Sequence, residues 1–262
     1  MNILVCIKQV PDSSDVEVDE KTGVLKREGV DSKMNPFDLY ALETAVMIKE
    51  SHSANVSVLT MGPLQALDII KEAFMMGADS GAMVSDKKFA GADVLATSYT
   101  LSQGIEKVGI PELIICGMQT TDGDTAQVGP EIAEFLNIPH IAYVTKIVEI
   151  KSKTIILEME LENSISVLEV EYPCLITVEK NICQPRLPSF RLKQKSNSWE
   201  IPIYSLDDFK DHDEDHYGLN GSPTQVKRIF PPERNIDHEL WNGSSDEVTT
   251  KLTDKLRELK FI

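Results

Sequence analysis

"LIICGMQTTDGDTAQVGPEIAEFL", Leu113 to Leu136, passes from an unbroken apolar run, through a polar segment free of Lys and Arg, into an amphipathic run. "LIIC" (113–116) reads as a strand buried on both faces, and Val128, Ile132, Phe135 and Leu136 recur at the spacing of one helix face. Pro130 has no N–H and is tolerated only in a first turn, so the helix cannot begin much before Ala126 or Gln127. The N–H groups of Thr125, Ala126, Gln127, Val128 and Gly129 are then left near the loop without intrahelical acceptors. The aligned peptide dipoles place about half a positive charge there, and Gly123 and Gly129 lack side chains that would block close approach. Read from these residues alone, the segment either cradles an anion such as a phosphate or is an ordinary helix start capped by Asp124 or Thr125. Neither the G-x-G-x-x-G fingerprint nor the lysine-bearing phosphate loop is present.

Strand-like and helix-like runs alternate before this stretch. "ILVCI" (3–7) precedes a helix opened by Asn35 as cap and Pro36 in the first turn, with Leu39, Leu42, Val46 and Lys49 along one face. "VSVLTM" (56–61) precedes a helix from about Leu64 to Met76, opened by Pro63 and closed by Gly77. Between the first two, "VEVDEKTGVLKR" (Val16 to Arg27) predicts a hairpin turning at Gly23. From Thr145 the pattern changes to alternation in "KIVEI", "TIILEMEL", "SISVLEVE" and "PCLITVEK", which predicts antiparallel strands added at the edge or face of the sheet. The fold class is therefore α/β, a doubly wound, mainly parallel sheet with added antiparallel strands. After Asn181 periodicity is lost among prolines until a helix with a Ser244/Glu247 capping box and an apolar stripe of Val248, Leu252, Leu256 and Leu259. So long an irregular arm predicts packing on another subunit, and the expected division is 1–184 for the nucleotide-binding domain and 185–262 for a docking loop and arm.

Composition narrows the function classes. Lys and Arg number 26 against 42 Asp and Glu, a formal net charge of −16, which repels nucleic acid and anionic membranes. Cys6, Cys116, Cys174 and Cys183 are scattered, with no C-x-x-C pair, so no disulfide framework or metal site is expected and a reducing cytoplasm fits. Cys6 and Cys116 end apolar strands and read as small core residues. His212-x-x-x-His216 has metal-ligand spacing but lies in an acidic run that reads as solvated. "MNILVCIK" is a strand rather than a leader, and no apolar run is long enough to span a bilayer.

"VCIKQVPD" (5–12), "MNPFDLYALETAVMIKE" (34–50), "LTMGP" (59–63), "MGAD" (76–79) and "CGMQTTDGDTAQVG" (116–129) occur together and in this order. Through them the chain resembles the beta subunit of electron transfer flavoproteins, closely over residues 1 to about 185 and in general form over the arm. The resemblance implies an adenine-nucleotide alpha-hydrolase-like sheet, a bound adenine nucleotide and an alpha-type partner subunit in a cytoplasmic heterodimer. Its adenosine would lie against Cys6, the Asn35-Pro36 loop and Met61. Its phosphates would lie on Asp122, Gly123, Asp124, Thr125, Ala126, Gln127, Val128 and Gly129, with Gln119 also among the cofactor-binding residues.

The family holds either structural AMP in this subunit or, in its electron-bifurcating members, a second FAD that accepts hydride from NADH. "DGDTAQVGP" resembles the bifurcating form of the loop. "GADVLATSYTLSQGI" (91–105) resembles the segment that lines the isoalloxazine, with Thr97 and Ser98 as candidate contacts. The resemblance thus implies FAD as cofactor, NADH as substrate and ferredoxin as one electron acceptor, with AMP as the alternative to FAD, and neither a catalytic triad nor a metal. Pro-Arg-Tyr-Pro-Ser-Leu-Pro in the family's docking loop corresponds here to "QPRLPSFRLKQK" (184–195), with Leu187 and Phe190 at the contact positions. These departures extend the expected partner from an acyl-CoA dehydrogenase to a flavin dehydrogenase acting on a 2-hydroxy acid. A stand-alone adenine-nucleotide-binding regulator of similar fold is the rival from another class.

Overall fold

β1 (Asn2–Cys6) sends Ile3 and Val5 into one apolar core and Leu4 and Cys6 into another, which is why its sequence is apolar without alternation. The computed structural model of the chain describes residues 1–12, 32–196, 199–227 and 239–262. The hairpin expected over 16–27 lies outside them. After β1 come β2 (Gln9–Pro11) and β3 (Ser32–Met34), paired antiparallel, then α1 (Pro36–Ser51), β4 (Asn55–Met61), α2 (Leu67–Met76) and β5 (Ser80–Val84). The chain continues through α3 (Val94–Val108), β6 (Leu113–Gly117), α4 (Val128–Phe135), β7 (His140–Ile150), β8 (Thr154–Leu161), β9 (Ser164–Glu171) and β10 (Cys174–Val178). It ends with α5 (Phe190–Ser196), β11 (Ile203–Tyr204) and α6 (Ser245–Glu258).

Among the described residues the main sheet has nine strands in the order β11-β5-β4-β1-β6-β10-β7-β8-β9, parallel from β11 to β7 and antiparallel beyond. After β1 the chain steps outward to β4 and β5, then returns to β6 on the other side of β1. That reversal opens a crevice at the carboxyl ends of β1 and β6, the usual ligand position of such sheets. Cys6 and Cys116 are register partners at its floor. α1 and α2 contribute Leu42, Val46, Ile70 and Phe74 to one core, and α3 and α4 contribute Leu101, Ile105 and Ile132 to the other.

α2 is preceded by a 3-10 turn over Leu64–Ala66, so Pro63 stands at the cap of that turn rather than inside the helix. Gly77 closes α2 at φ 123°, with its N–H on Ala73 O. "PCLITVEK" departs from its expected antiparallel placement. β10 is buried at every position and runs parallel between β6 and β7. Its Cys-Leu-Ile run lacks the alternation of a one-sided strand. β8 and β9 are antiparallel, as expected, and β7 joins both regions through register shifts near Val144 and Ile147.

The chain divides into two units, Met1–Lys227 and Arg228–Ile262. Within the first, β11 pairs with β5, and Leu206, Phe209 and Tyr217 are buried against Phe89, with the Phe89 and Tyr217 ring centroids 5.4 Å apart. Within the second, the Ser244 side chain accepts from Glu247 N and the Glu247 carboxylate accepts from Ser244 N, the expected capping box. Among the described residues no helix is long and apolar enough to cross a membrane.

Candidate nucleotide-binding site

The loop between β6 and α4 closes on itself before it opens. Asp124 N donates to Thr120 O at 3.0 Å, and the Gln119 side-chain amide donates to the Asp124 carboxylate. Asp124 and Ala126 hold φ of 54° and 56°, a left-handed backbone that costs an ordinary residue about 1–2 kcal/mol. Ala126 is followed by right-handed Gln127 at the cap of α4. Such a left–right pair turns successive N–H groups toward one point, a concavity suited to an anion. No side chain caps α4, so neither Asp124 nor Thr125 plays the capping role that was the alternative reading. Helix geometry leaves the Val128 and Gly129 N–H groups without intrahelical acceptors.

Asn35 ties this loop to the start of α1. Its amide donates to Gln119 O at 2.9 Å, and its Oδ1 accepts from Thr121 N at 3.3 Å. It occupies the cap position of α1, but its side chain makes no capping bond there. Asn35 is fully buried, so the expected cap serves instead as a brace between the two loops of the crevice.

Two residues that sequence reasoning did not single out complete the brace. Asp38, in the first turn of α1, is buried and accepts from Lys8 N at 2.7 Å; a Gly117 backbone bond also lowers its pKa. Burial outweighs these partners and the Asn35 side chain, and pushes its carboxyl up to about 7. A Cβ on Gly117 would lie 2.5 Å from the Asp38 carboxylate, so glycine is required at that close approach. The Lys8 ammonium reaches both oxygens of Asp122 at 2.8 Å. Burial opposes ionisation of Asp122, but Lys8 prevails and holds its carboxyl below the usual range. The loop carries no lysine of its own, yet the fold brings one to it. Lys8 could be found from its place just past the carboxyl end of β1, whereas nothing in the sequence says that Asp38 turns toward the sheet.

Gly129 corrects one expectation. A Cβ there would meet Thr177 Cγ2 of β10 at 2.6 Å, so its lack of a side chain serves helix-to-sheet packing and not ligand approach. Gly123 is open, its nearest neighbour being Thr120 Oγ1 at 3.4 Å.

α3 begins beside this loop. Its cap is Asp93, which accepts from Ala96 N at 3.1 Å and from Thr224 N and Oγ1 at 3.0 and 2.6 Å. Ser98 is buried and donates to Val94 O at 2.8 Å, with Val128 O 3.5 Å away. Thr97 is half-buried one position earlier, its N–H on Asp93 O. Thr97 and Ser98 therefore do not cap. Cys6, Asn35, Met61, Ser98 and the loop Gln119 to Gly129 are gathered at the carboxyl ends of β1, β4 and β6. The Cys6 side chain, then burial, raises the Cys116 thiol well above its ordinary range, a setting for an unreactive core thiol.

Leu187 and Phe190 stand apart from the crevice, 88% and 75% exposed. Arg186, in the 184–195 segment just before Leu187, is an anchor. It forks onto Glu43 at 2.8 and 2.9 Å and onto Glu50 at 2.6 and 3.0 Å, both on α1. His216 Nδ1 lies 2.5 Å from Asp211 Oδ2, and His212 Nδ1 lies 3.2 Å from Leu206 O, so both rings have protein partners.

The sequence model of the family described as "Electron transfer flavoprotein domain" matches residues 22–208. The chain is 44% identical over 263 residues to the electron transfer flavoprotein subunit beta of Thermoanaerobacterium thermosaccharolyticum, covering 100% of both chains. It is 44% identical over 264 residues to the caffeyl-CoA reductase-Etf complex subunit CarD of Acetobacterium woodii, again covering 100% of both. With Protein FixA of Azorhizobium caulinodans it shares 41% identity over 238 residues, covering 88% of this chain and 85% of that one.

Proposed function

The chain belongs to the electron transfer flavoprotein family as a beta subunit, and from that premise we propose that it binds FAD in the crevice between β1 and β6. In this reading it works in a cytoplasmic, electron-bifurcating complex with an alpha-type subunit. The complex oxidises NADH and divides the electrons between ferredoxin and a partner flavin dehydrogenase, of the acyl-CoA or 2-hydroxy acid type. The observation that carries the reading is the uncapped N-terminus of α4, set at the reversal of strand order and preceded by a left–right backbone pair. The bifurcating part draws on "DGDTAQVGP" and on the identity with CarD, which by its name belongs to a caffeyl-CoA reductase-Etf complex.

An adenine nucleotide suits the residues present. The backbone N–H groups of 125–129 face a phosphate, Gly123 leaves room beside it, and Lys8 offsets the nearest carboxylate. Asn35 and Asp38 hold the two loops in register, so the phosphate site is formed before ligand arrives and little ordering accompanies binding. When bound, the flavin supplies the hydride and one-electron chemistry. This chain's residues place it and exclude water from it. Leu187 and Phe190, held out by the Arg186 anchor, are the proposed contacts to the dehydrogenase.

AMP is the second reading, because the phosphate loop is indifferent to what extends beyond the phosphate. The native complex with its alpha-type subunit is purified and its nucleotides are released and counted. Two FAD per heterodimer is the expected result. One FAD and one AMP removes bifurcation and leaves an electron carrier, and absence of any adenine nucleotide from this chain overturns the site.

A further inference from the structure

We infer that Ser222 and Thr224 are positioning residues for the nucleotide site, acting through Asp93 to fix the first turn of α3 as the wall of the crevice beyond the phosphates. The inference rests on the proposed reading of the crevice as an FAD site. α3 follows β5 and α4 follows β6, both parallel strands of one sheet, so the two helices start at the same carboxyl edge. They pack side by side. Leu101, Ile105 and Ile132 share one core, Tyr99 meets Phe135 edge-on at 5.2 Å, and the Ser98 hydroxyl approaches Val128 O at 3.5 Å. The first turn of α3 thus stands next to the free N–H groups of α4.

The two walls have separate supports. On the α4 side Asn35 holds Gln119 O and Thr121 N, and Gly129 packs on Thr177 of β10. On the α3 side the support comes from a segment 129 residues away: the Asp93 N–H donates to Ser222 Oγ at 2.8 Å. One Asp93 carboxylate oxygen accepts from Thr224 N at 3.0 Å and from Thr224 Oγ1 at 2.6 Å, and the other accepts from Ala96 N at 3.1 Å. An ordinary cap serves its own helix. Asp93 gives one oxygen to that task and the other, with its N–H, to 222–224. Burial opposes ionisation of Asp93, but the Thr224 hydroxyl and the N–H groups of Ala96, Thr224 and Leu95 prevail and hold its carboxyl below the usual range. Its bonds are therefore charge-assisted, about twice as strong as neutral ones. The segment that makes them is itself seated on the approach to α3. Ser222 is buried and donates to Gly218 O at 2.6 Å, Leu219 N donates to Ala90 O at 3.0 Å, and Gly218, at φ 55°, has no room for a Cβ against Lys88 O. In this reading AMP ends at its phosphate, on the α4 side, whereas FAD extends past it toward the first turn of α3.

The test uses the complex with its alpha-type subunit, depleted of the nucleotide held by this chain. FAD and AMP are titrated separately into wild type, Ser222→Ala, Thr224→Val and Thr224→Ser, and the second FAD per heterodimer is counted. The expected result is that Ser222→Ala and Thr224→Val each weaken FAD by about fivefold or more while AMP stays within about twofold of wild type. Thr224→Ser, which keeps the hydroxyl, is expected to hold FAD to within about twofold. Retained AMP binding certifies that each variant is folded on the α4 side. An equal loss of FAD and AMP would make the segment a general support of the fold and overturn the inference. Unchanged FAD affinity in Ser222→Ala and Thr224→Val would overturn it too, as would a Thr224→Ser variant as weak as Thr224→Val. If the wild-type complex takes up no FAD at this chain, the FAD reading itself falls and the inference with it.

Discussion

The Lys8 ammonium lies 2.8 Å from both carboxylate oxygens of Asp122, joining the segment after β1 to the loop after β6 across the reversal of strand order. That loop carries two carboxylates, Asp122 and Asp124, in a protein of formal net charge −16. A phosphate would be repelled from it if neither were offset. Lys8 neutralises the first, and the Gln119 amide binds the second. The pair is part-exposed, so Lys8→Met is expected to change stability by no more than about 1 kcal/mol. Adenine-nucleotide affinity of the complex, by contrast, should fall about tenfold, and adding Asp122→Asn should recover most of it. Unchanged affinity in the single variant would show that the ammonium has no part in retention.

Asp38 gives the fold a pH dependence of unusual sign for a carboxylate. Burial raises it from 3.8 to about 7 in the folded chain. Between those values the native state keeps a proton that the unfolded chain has released. Stability is therefore full below about pH 4 and declines as pH rises toward about 7, by at most about 1.4 kcal/mol per pH unit. Asp38→Asn removes this contribution at the cost of one accepted hydrogen bond. Urea unfolding at several pH values should give a flatter profile for the variant over that window. Parallel profiles for the two proteins would mean that Asp38 is ionised in the native state.

How much of this was legible in the sequence can be argued from particular residues. β1 and β6 were readable because strands buried on both faces are apolar without interruption, β4 because Val56, Val58, Leu59 and Met61 outweigh its Ser57 and Thr60, and α2 because Gly77 and its periodicity mark its end. The start of α4 followed from Pro130 alone, since one missing N–H limits where a helix begins. β10 was misplaced because its antiparallel neighbours set the expectation, although its own run lacks their alternation. Roles that depend on long-range approach were not readable. Asn35 looks like a cap in any local window, and only the β6 loop, 84 residues away, takes its side chain elsewhere. Gly129 looks like part of a phosphate cradle until β10 is packed beneath it. Arg186 looks like surface charge until Glu43 and Glu50 are brought against it.

The Arg186 anchor and the side chains it presents should separate in their effects. Glu43 has a nearly buried carboxylate, with 6% of its side chain exposed, and Arg186 supplies its guanidinium partner. Arg186→Leu leaves that charge buried and unpaired, an expected loss of about 3 kcal/mol. Leu187→Ser and Phe190→Ser remove only exposed apolar surface and are expected to leave stability within about 0.5 kcal/mol. Binding of the complex to the proposed flavin dehydrogenase, followed by titration calorimetry, should weaken in all three. Full affinity in the Leu187 and Phe190 variants would move the docking surface elsewhere.

Where the chain is cut decides whether the sheet survives, and two truncations separate the segments after α5. A chain ended after Ser196 loses β11 from the edge of β5 and uncovers Phe89, because Leu206, Phe209 and Tyr217 are 1%, 5% and 1% exposed in the intact first unit. Removing that much buried apolar surface costs about several kcal/mol and leaves an unpaired strand edge, so this chain is expected to aggregate. A chain ended after Lys227 keeps all three residues and the whole first unit. It is expected to unfold cooperatively at an unchanged urea midpoint. What it lacks is α6 and its C-terminal cap Leu259; Leu252 and Leu259 are 48% and 54% exposed on a stripe with Val248 and Leu256. Such a stripe needs an apolar surface to cover it, and the alpha-type subunit is the expected provider. The chain ended after Lys227 should therefore fail to co-elute with that subunit on gel filtration where the full chain does. Co-elution at unchanged affinity would show that α6 serves some other contact, and a soluble, fully stable chain ended after Ser196 would show that the aromatic cluster around Tyr217 adds nothing to the sheet.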